Sequence, residues 1–565
     1  MRDAGIDKQA AAAAIMYILG NAVGLTQSLW RAPDTDPALD RISIGDSLRR
    51  AARRWPDREA MVYAHQAAIA DTRLTYGALD TLTDRLAAAL LADGYQPGER
   101  VAIWGPNHPA WIVLEYALAK AGLVIVALNP LYKALELRHA LADSRAVGLF
   151  HADTAGGGPM RDIVDAVRAE LPALRAVHDF TGDVEALLQR GGDAGALPDV
   201  DPDGLFMIQY TSGTTGVPKA ALLPHAGVAT IAARSYQSWQ FGPGDRVCHG
   251  FPMFHVGGSA NSTPGSLIVG ATTLPIYIFK AREALDILEQ ERCTGFIGVP
   301  TMLAAMMEDP SFGARDLSAL RRIVVGGAPV PSPFLRRCEA AFGVEMLNGY
   351  GQTESCGVMT SVRSGDDEHH KTETSGVALP GVNLKVVGAD GAILPCGETG
   401  ELCVRGPGMM MGYGDPQASA RAFDAEGWLR TGDLATMDAE GYVRIVGRLK
   451  EMIIRGGENL YPAEIERHLI DHPDVAEAAV IGIPDPKYGE EVCAVLRPRS
   501  PDHVAPEVIR AWCQDRLSRW KVPRHVVWVE AMPTTPSGKI RKHELKDRII
   551  GLLAIDDVHP GEKAS

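Results

Sequence analysis

The chain has 565 residues, which calls for at least two domains and excludes a small scaffold held by staples. Hydrophobic residues make up 46% and charged residues 22%, the balance of a globular protein with a sizeable core and not of a disordered chain. Lys and Arg number 56 against 70 Asp and Glu, and the net charge of −14 disfavours nucleic acid or an anionic membrane bound through bulk charge, so any phosphate must be held locally by loops.

In chain order, an apolar run over residues 10–19 continues past Gly20 and Asn21 to Leu25. It is short for a membrane span, and residues 1–9 carry two basic and two acidic side chains, unlike the flank of a signal peptide. A helix in an N-terminal extension over residues 1–40 is expected, with no integral span. Residues 44–54 and 82–92 read as amphipathic helices, and residues 101–104 and 123–128 as short apolar strands. This alternation, which runs over the first 430 residues or so, means an α/β architecture. Loops are expected over residues 154–159, which contain three glycines in a row, and over the polar residues 364–374. A strand at 442–446 is followed by Gly447-Arg448-Leu449-Lys450 and a further apolar stretch at 452–454, which marks a domain boundary. Beyond it come a helix from Pro462 to about residue 470, strands near 478–483 and 492–496, a helix near 506–517 and a strand at 526–529, a compact α+β unit. The eight cysteines include no CxxC pair, so reduced thiols in a cytoplasmic compartment are expected, a peripheral membrane association remaining open.

The strongest local signal is Tyr210-Thr211-Ser212-Gly213-Thr214-Thr215-Gly216-Val217-Pro218-Lys219, which follows an apolar stretch at 205–208. Glycines let backbone N–H groups turn toward an anion, hydroxyls add donors and the lysine adds charge, a combination suited to a polyphosphate. A solvated turn is the bland alternative. It is not a Walker A loop, because Ala220 follows the lysine and the glycines are too close together. There is no GxSxG elbow and no HExxH helix, Gly406, Gly408 and Gly412 miss dinucleotide spacing by one residue, and His369-His370 reads as a solvated pair and not as metal ligands.

Further motifs follow in order: Gly349-Tyr350-Gly351-Gln352-Thr353-Glu354, Thr431-Gly432-Asp433, Gly447-Arg448-Leu449-Lys450-Glu451, Arg455-Gly456-Gly457-Glu458-Asn459 and Pro536-Ser537-Gly538-Lys539. Together with the first loop they resemble the signature series of the adenylate-forming superfamily, which contains acyl-CoA synthetases, nonribosomal peptide adenylation domains and beetle luciferases. The likeness covers about residues 45–550.

That resemblance implies an α/β fold with a large N-terminal domain of two helix-flanked β-sheets and a distorted β-barrel over residues 41–447, a hinge at 448–450 and a small mobile α+β domain over 451–565. It implies an ATP-dependent, AMP-forming carboxylate–CoA ligase with ATP, CoA and Mg²⁺ as cofactors. Tyr350 would stack on adenine, and Glu354, with Thr214, would hold Mg²⁺. Asp433 and Arg448 would hold the ribose, a carboxylate being able to accept both hydroxyls of a diol. Gly326-Gly327-Ala328, after an apolar strand at 323–325, would line the nucleotide and acyl pockets. Lys539 would stand between two anions as carboxylate meets α-phosphate, and Lys450 would be the hinge on which the small domain turns to present Lys539 first and the loop of Gly456, Gly457 and Glu458 second. His255, in Pro252-Met253-Phe254-His255-Val256-Gly257-Gly258, matches a histidine at the acyl pocket, with a structural histidine an equal alternative. Trp239, Val299, Pro300 and Met302 would add apolar lining. Ala220 departs from the glycine that commonly follows the loop lysine. Arg455 to Glu466 looks most like medium-chain or general fatty acyl-CoA synthetases, so a fatty acid is the expected substrate; loading of a carrier-protein phosphopantetheine and an aryl-CoA ligase are the alternatives. A catalytically dead homologue is disfavoured by the intact motif residues. A homodimer is compatible with the sequence.

Overall fold

The computed structural model describes residues 24–33, 41–155, 158–180, 182–190, 196–211, 218–327, 330, 332–456, 458–534 and 540–553. The expected N-terminal helix lies outside these. The helix Ile44–Arg54 forms where the pattern places it, because the Ser43 hydroxyl accepts the Asp46 N–H at 3.1 Å and the charges suit the helix dipole, Asp46 in the first turn and Arg53 and Arg54 in the last. The next helix, Tyr76–Ala92, starts six residues before the expected position, since Thr75 caps it through the Ala78 N–H at 3.2 Å.

Two mainly parallel sheets make up most of the large domain. One has seven strands, in the order Gly412–Tyr413, Lys219–Pro224, Leu205–Thr211, Val124–Leu128, Arg100–Trp104, Gly148–His151 and Ala176–Asp179. The other has nine, in the order Val377–Ala378, Gly357–Ser361, Glu345–Gln352, Arg322–Val325, Gly295–Gly298, Arg246–His249, Thr272–Pro275, Glu59–Tyr63 and Thr72–Thr75. In each, the inner strands are parallel and antiparallel strands close an edge. One continuous core takes in Met61 and Tyr63 from the nine-stranded sheet and Val101, Ile125 and Phe206 from the seven-stranded one. The helix Pro109–Lys120 belongs to it, with every residue from Ala110 to Lys120 buried, as its nearly unbroken apolar sequence requires. The Lys120 ammonium, inside that core, is paired with Asp80 at 2.5 Å and Asp84 at 2.8 Å.

The expected distorted barrel corresponds to a five-stranded antiparallel sheet, Leu29–Trp30, Asn383–Val387, Gly400–Arg405, Leu429–Met437 and Val443–Arg448. Beyond it the small domain is built on Glu458–Leu460, Ile453–Arg455, Gly489–Pro498 and Val475–Asp485, with His525–Trp528 beside Gly489–Pro498. Alternation sends Val480, Val492 and Ala494 to one face, where they pack with Ile465, Leu469 and Ile509, and Ala479, Ile481 and Cys493 to the other, where they pack with Leu545 and Ile549. Lys542, at the start of the helix Lys542–Leu553, is largely buried between Glu451 at 3.0 Å and Glu466 at 2.7 Å. Across the domain boundary, Glu373 meets Arg467 of the small domain at 2.6 Å, and within the large domain it lies 3.4 Å from Arg444.

Three sequence expectations change. Residues 154–159 contain two short paired strands, Thr154–Ala155 and Gly158–Pro159. Within 364–374 a helix, Glu368–Glu373, is capped by Asp367, which accepts the His370 N–H at 2.9 Å. His370 is not solvated: it stacks on Tyr442 with ring centroids 3.8 Å apart. No helix among the described residues is long and apolar enough to cross a membrane.

Burial pushes the His249 imidazole down to about 3, against a smaller opposing effect of the Phe251 backbone. The unfolded chain therefore takes up this proton first, and the stability carried by the neutral ring is present above about pH 6.5 and lost as the pH falls toward the folded value. Denaturant titrations should show the large domain losing about 2 kcal/mol between pH 6.5 and 5 from this group. His249→Leu should flatten that part of the profile, and equal slopes for the two proteins would refute the assignment.

Candidate active site

Tyr350 and Glu354, at and just beyond the carboxyl end of the strand Glu345–Gln352, each meet a partner from another sheet, Asp433 and Tyr413. The stretch that begins at Thr211 leaves the strand Leu205–Thr211 and returns as Lys219–Pro224, with Thr211 paired to Lys219. Ser212, Gly213, Thr214, Thr215 and Gly216 lie outside the described residues, as do Ala328, Gly457 and Lys539. Thr211 Oγ1 is 3.4 Å from the Lys219 carbonyl oxygen, to which it donates. Ala220, the departure from glycine, sits in the strand and accepts the Gly414 N–H at 2.8 Å.

Lys219 is half-buried, its ammonium 5.0 Å from the centre of the Tyr413 ring. The Tyr413 hydroxyl donates to Glu354 Oε1 at 2.7 Å. Burial first and the Glu354 carboxylate second raise the Tyr413 phenol, which therefore stays protonated and donates. Glu354 stands in a 3-10 turn, Thr353–Ser355, entered from Gln352, and Thr353 closes the turn by accepting the Cys356 N–H at 3.0 Å. Just before it, a Cβ on Gly351 would lie 2.0 Å from the Gly357 carbonyl oxygen, so only glycine lets the two strands approach this closely.

A second group forms around Asp433. The Tyr350 hydroxyl donates to Asp433 Oδ2 at 2.5 Å, and Arg448 Nε lies 3.3 Å from Oδ1. Asp433 and Arg448 are register partners in neighbouring strands, which brings their side chains together. Burial and then the Asp433 carboxylate hold the Tyr350 phenol well above its ordinary value. The sequence reading concerned the ring face of Tyr350 and missed this hydroxyl. Next to it, a Cβ on Gly326 would meet the Gly349 carbonyl oxygen at 3.3 Å, and Gly327 has a left-handed φ of +76° with Phe251 and Val299 beside it.

His255 caps the turn Val256–Ser262, its Nδ1 accepting the Gly257 N–H at 3.1 Å, and its ring lies parallel to Phe251. This capping bond gives the histidine a structural part at the start of that turn. Trp239, Phe251 and Val299 share an apolar cluster with Val324 and Leu347, and Met302 packs against it. Pro300 instead opens the helix Pro300–Glu308. The Trp239 indole is fixed by donating to Ser361 Oγ at 3.0 Å.

In the small domain, Lys450 is exposed in the turn Leu449–Glu451. Gly456, at φ +60°, donates to the Tyr488 carbonyl at 2.8 Å, and the exposed Glu458 is the register partner of Arg455. Arg455 bonds Glu491 at 2.7 and 2.9 Å and the Trp520 carbonyl at 2.6 Å. Two cavities of about 290 Å³ open elsewhere, one around Arg100, Leu205 and His225 and one around Arg41, Thr230 and Pro407, and neither includes a motif residue.

No group of three or more His, Cys, Asp or Glu among the described residues could cage a metal. The single Glu354 carboxylate, with Oε2 left by Tyr413, suits Mg²⁺, which binds through one or two carboxylates together with phosphate oxygens and water.

Residues 48–414 match the family described as AMP-binding enzyme, and residues 464–539 its C-terminal domain. The mitochondrial medium-chain acyl-CoA ligase ACSF2 of Rattus norvegicus is 34% identical over 552 residues, covering 91% of this chain and 89% of that protein. A feruloyl-CoA synthase of Amycolatopsis is 38% identical over 498 residues, covering 87% and 98%. The ATP-bound crystal structure of MatB from Rhodopseudomonas palustris superimposes with a TM-score of 0.83 at 29% identity, covering 90% and 100%.

The contact at Gly351 gives a test of the local geometry. Gly351→Ala must push back the Gly357 backbone, and overpacking of this kind costs about 1–3 kcal/mol. The variant should melt at a lower temperature and lose most of the wild-type thermal shift with ATP; an unchanged shift would show that Glu354 does not depend on this approach.

Proposed function

Because the chain belongs to the AMP-binding enzyme family, whose members named above activate acids as CoA thioesters, we propose that it makes an acyl-adenylate from a medium-chain or other fatty acid and passes the acyl group to CoA. The enzyme is an AMP-forming acid–thiol ligase with ATP and CoA as substrates. The observation that carries the reading is the meeting of Lys219, Tyr413 and Glu354 in one group and of Tyr350, Asp433 and Arg448 in another, with Tyr350 and Glu354 four residues apart in one segment.

In this reading Lys219 neutralises phosphate charge and Asp433 with Arg448 orients the ribose. Glu354 and Thr214 would hold Mg²⁺, which would supply charge neutralisation on the phosphates when bound. A carboxylate oxygen attacks the α-phosphorus and the P–O bond to pyrophosphate breaks, with Lys539 placed between the two anions. The thiol of CoA then attacks the carbonyl carbon of the mixed anhydride, loses its proton, and AMP leaves. The large domain over 41–447 and the small domain over 451–565 turn about 448–450, so that Lys539 serves the first step and the loop of Gly456, Gly457 and Glu458 flanks the thiol in the second.

The acyl group would lie against Trp239, Phe251 and Val299, an apolar wall that suits an alkyl chain. The flat faces of Trp239 and Phe251, together with the likeness to a feruloyl-CoA synthase, favour an aryl acid as the second reading. The eight free cysteines fit a reducing cytoplasm.

Pyrophosphate release over aliphatic acids of graded length and a few aryl acids, followed by thioester detection with CoA, tests the substrate class; release only with aryl acids would replace the fatty-acid reading. Lys539→Ala should slow adenylate formation about 100-fold or more, the scale of a lost transition-state donor, yet still make thioester from supplied acyl-adenylate. Equal loss of both steps would remove Lys539 from its place. Lys450→Pro, which fixes a hinge dihedral, should impair one half-reaction much more than the other, and matching effects on the two would move the hinge elsewhere.

A further inference from the structure

We propose that Tyr413 is a positioning residue that holds the Lys219 ammonium and the Glu354 carboxylate apart, so that each stays available to a different part of the triphosphate. The proposal rests on the reading of Lys219 as a phosphate ligand and Glu354 as a Mg²⁺ ligand.

A lysine and a glutamate that are both half-buried and share one neighbour attract each other strongly, because the surroundings screen them less than water does. Direct pairing would tie up the cation meant for phosphate and the oxygen meant for the metal. Among the described residues neither forms an ion pair. The phenol stands between them. Its ring face takes the ammonium at 5.0 Å, and its hydroxyl takes Oε1 at 2.7 Å. With Oε1 occupied by a donor, the carboxylate plane is set and Oε2 is the oxygen left to face a cation.

The backbone of Tyr413 is fixed from several sides. Ala221 is its register partner across the sheet, its N–H donates to Ser419 Oγ at 2.8 Å, and the Met410 N–H donates to the Glu354 carbonyl at 2.9 Å, tying the two segments together. The preceding Gly412, at φ +140°, would meet Ser419 Oγ at 2.9 Å with a Cβ. A side chain held this firmly can separate opposite charges without being displaced by them.

Tyr413→Phe keeps the ring and removes the hydroxyl, and Tyr413→Ala removes both. Mn²⁺ binding, read by electron paramagnetic resonance in the presence of the unreactive α,β-methylene analogue of ATP, should weaken about 10-fold in Tyr413→Phe, the scale of a lost partner to a metal ligand. In Tyr413→Ala it should weaken further, and the KM for ATP in pyrophosphate release should rise as Lys219 closes on Glu354. Thioester formation from supplied acyl-adenylate should stay at the wild-type rate in both variants. Wild-type Mn²⁺ affinity in Tyr413→Phe, or a Tyr413→Ala no worse than Tyr413→Phe, would overturn the proposal. Glu354→Gln separates the two failures: if it binds Mn²⁺ as the wild type does, the metal reading of Glu354 falls, and if it loses Mn²⁺ while Tyr413→Phe does not, only the placement of Tyr413 falls.

Discussion

One carboxylate, that of Asp433, ties the five-stranded sheet to the nine-stranded sheet at the place where the chain leaves for the small domain. It belongs to the five-stranded sheet, accepts a hydrogen bond from Tyr350 at the end of a strand of the nine-stranded sheet, and is reached by Arg448, the last residue of its own sheet before the turn into the small domain. A largely buried carboxylate is costly without partners, so the two sheets and the exit to the small domain are held in one arrangement by the need to satisfy it. A nucleotide bound here would meet a group already oriented by its neighbours.

The rest of the site follows from how closely strands can approach. Gly326 lies against the Gly349 carbonyl and Gly351 against Gly357, so adjoining strand ends form a smooth backbone surface with few side chains. The neighbouring strands Arg322–Val325 and Glu345–Gln352 run parallel over Arg322–Val325 and Glu345–Asn348, so their carboxyl ends, which carry Gly326 and Tyr350, point the same way. Lys219 and Tyr413 come in from the antiparallel strands that close an edge of the seven-stranded sheet, Lys219 from one and Tyr413 from the next.

Features written into adjacent residues were legible in the sequence. The helices Ile44–Arg54 and Pro462–Ile470 begin as expected because Ser43 and Pro462 are local start signals. The motif residues could be singled out because glycines, hydroxyls and a lysine close together have few other uses. Tyr413 could not. It lies in a two-residue strand whose only meaning is its pairing with Ala221, far away in sequence, and Gly412 beside it could be discussed only as part of a glycine series. The helix Glu368–Glu373 was hidden for a similar reason: its charged residues read as loop, and tertiary partners fix it, with Asn348 donating to the carbonyls of Lys371 and Thr374 and Arg467 reaching Glu373.

The position of Lys542 bears on the hinge proposed at Lys450. Its ammonium is shared by Glu451, the residue after Lys450, and Glu466, whose Oε1 also accepts the Val480 N–H at 2.7 Å. The beginning of the small domain, its edge strand Val475–Asp485 and the start of the helix Lys542–Leu553 are thus bolted together through one cation. If the small domain turns about Leu449–Glu451 as proposed above, this bolt would carry the segment after Lys450, the strand Val475–Asp485 and the helix Lys542–Leu553 together, as one lever and not as a set of loosely strung parts.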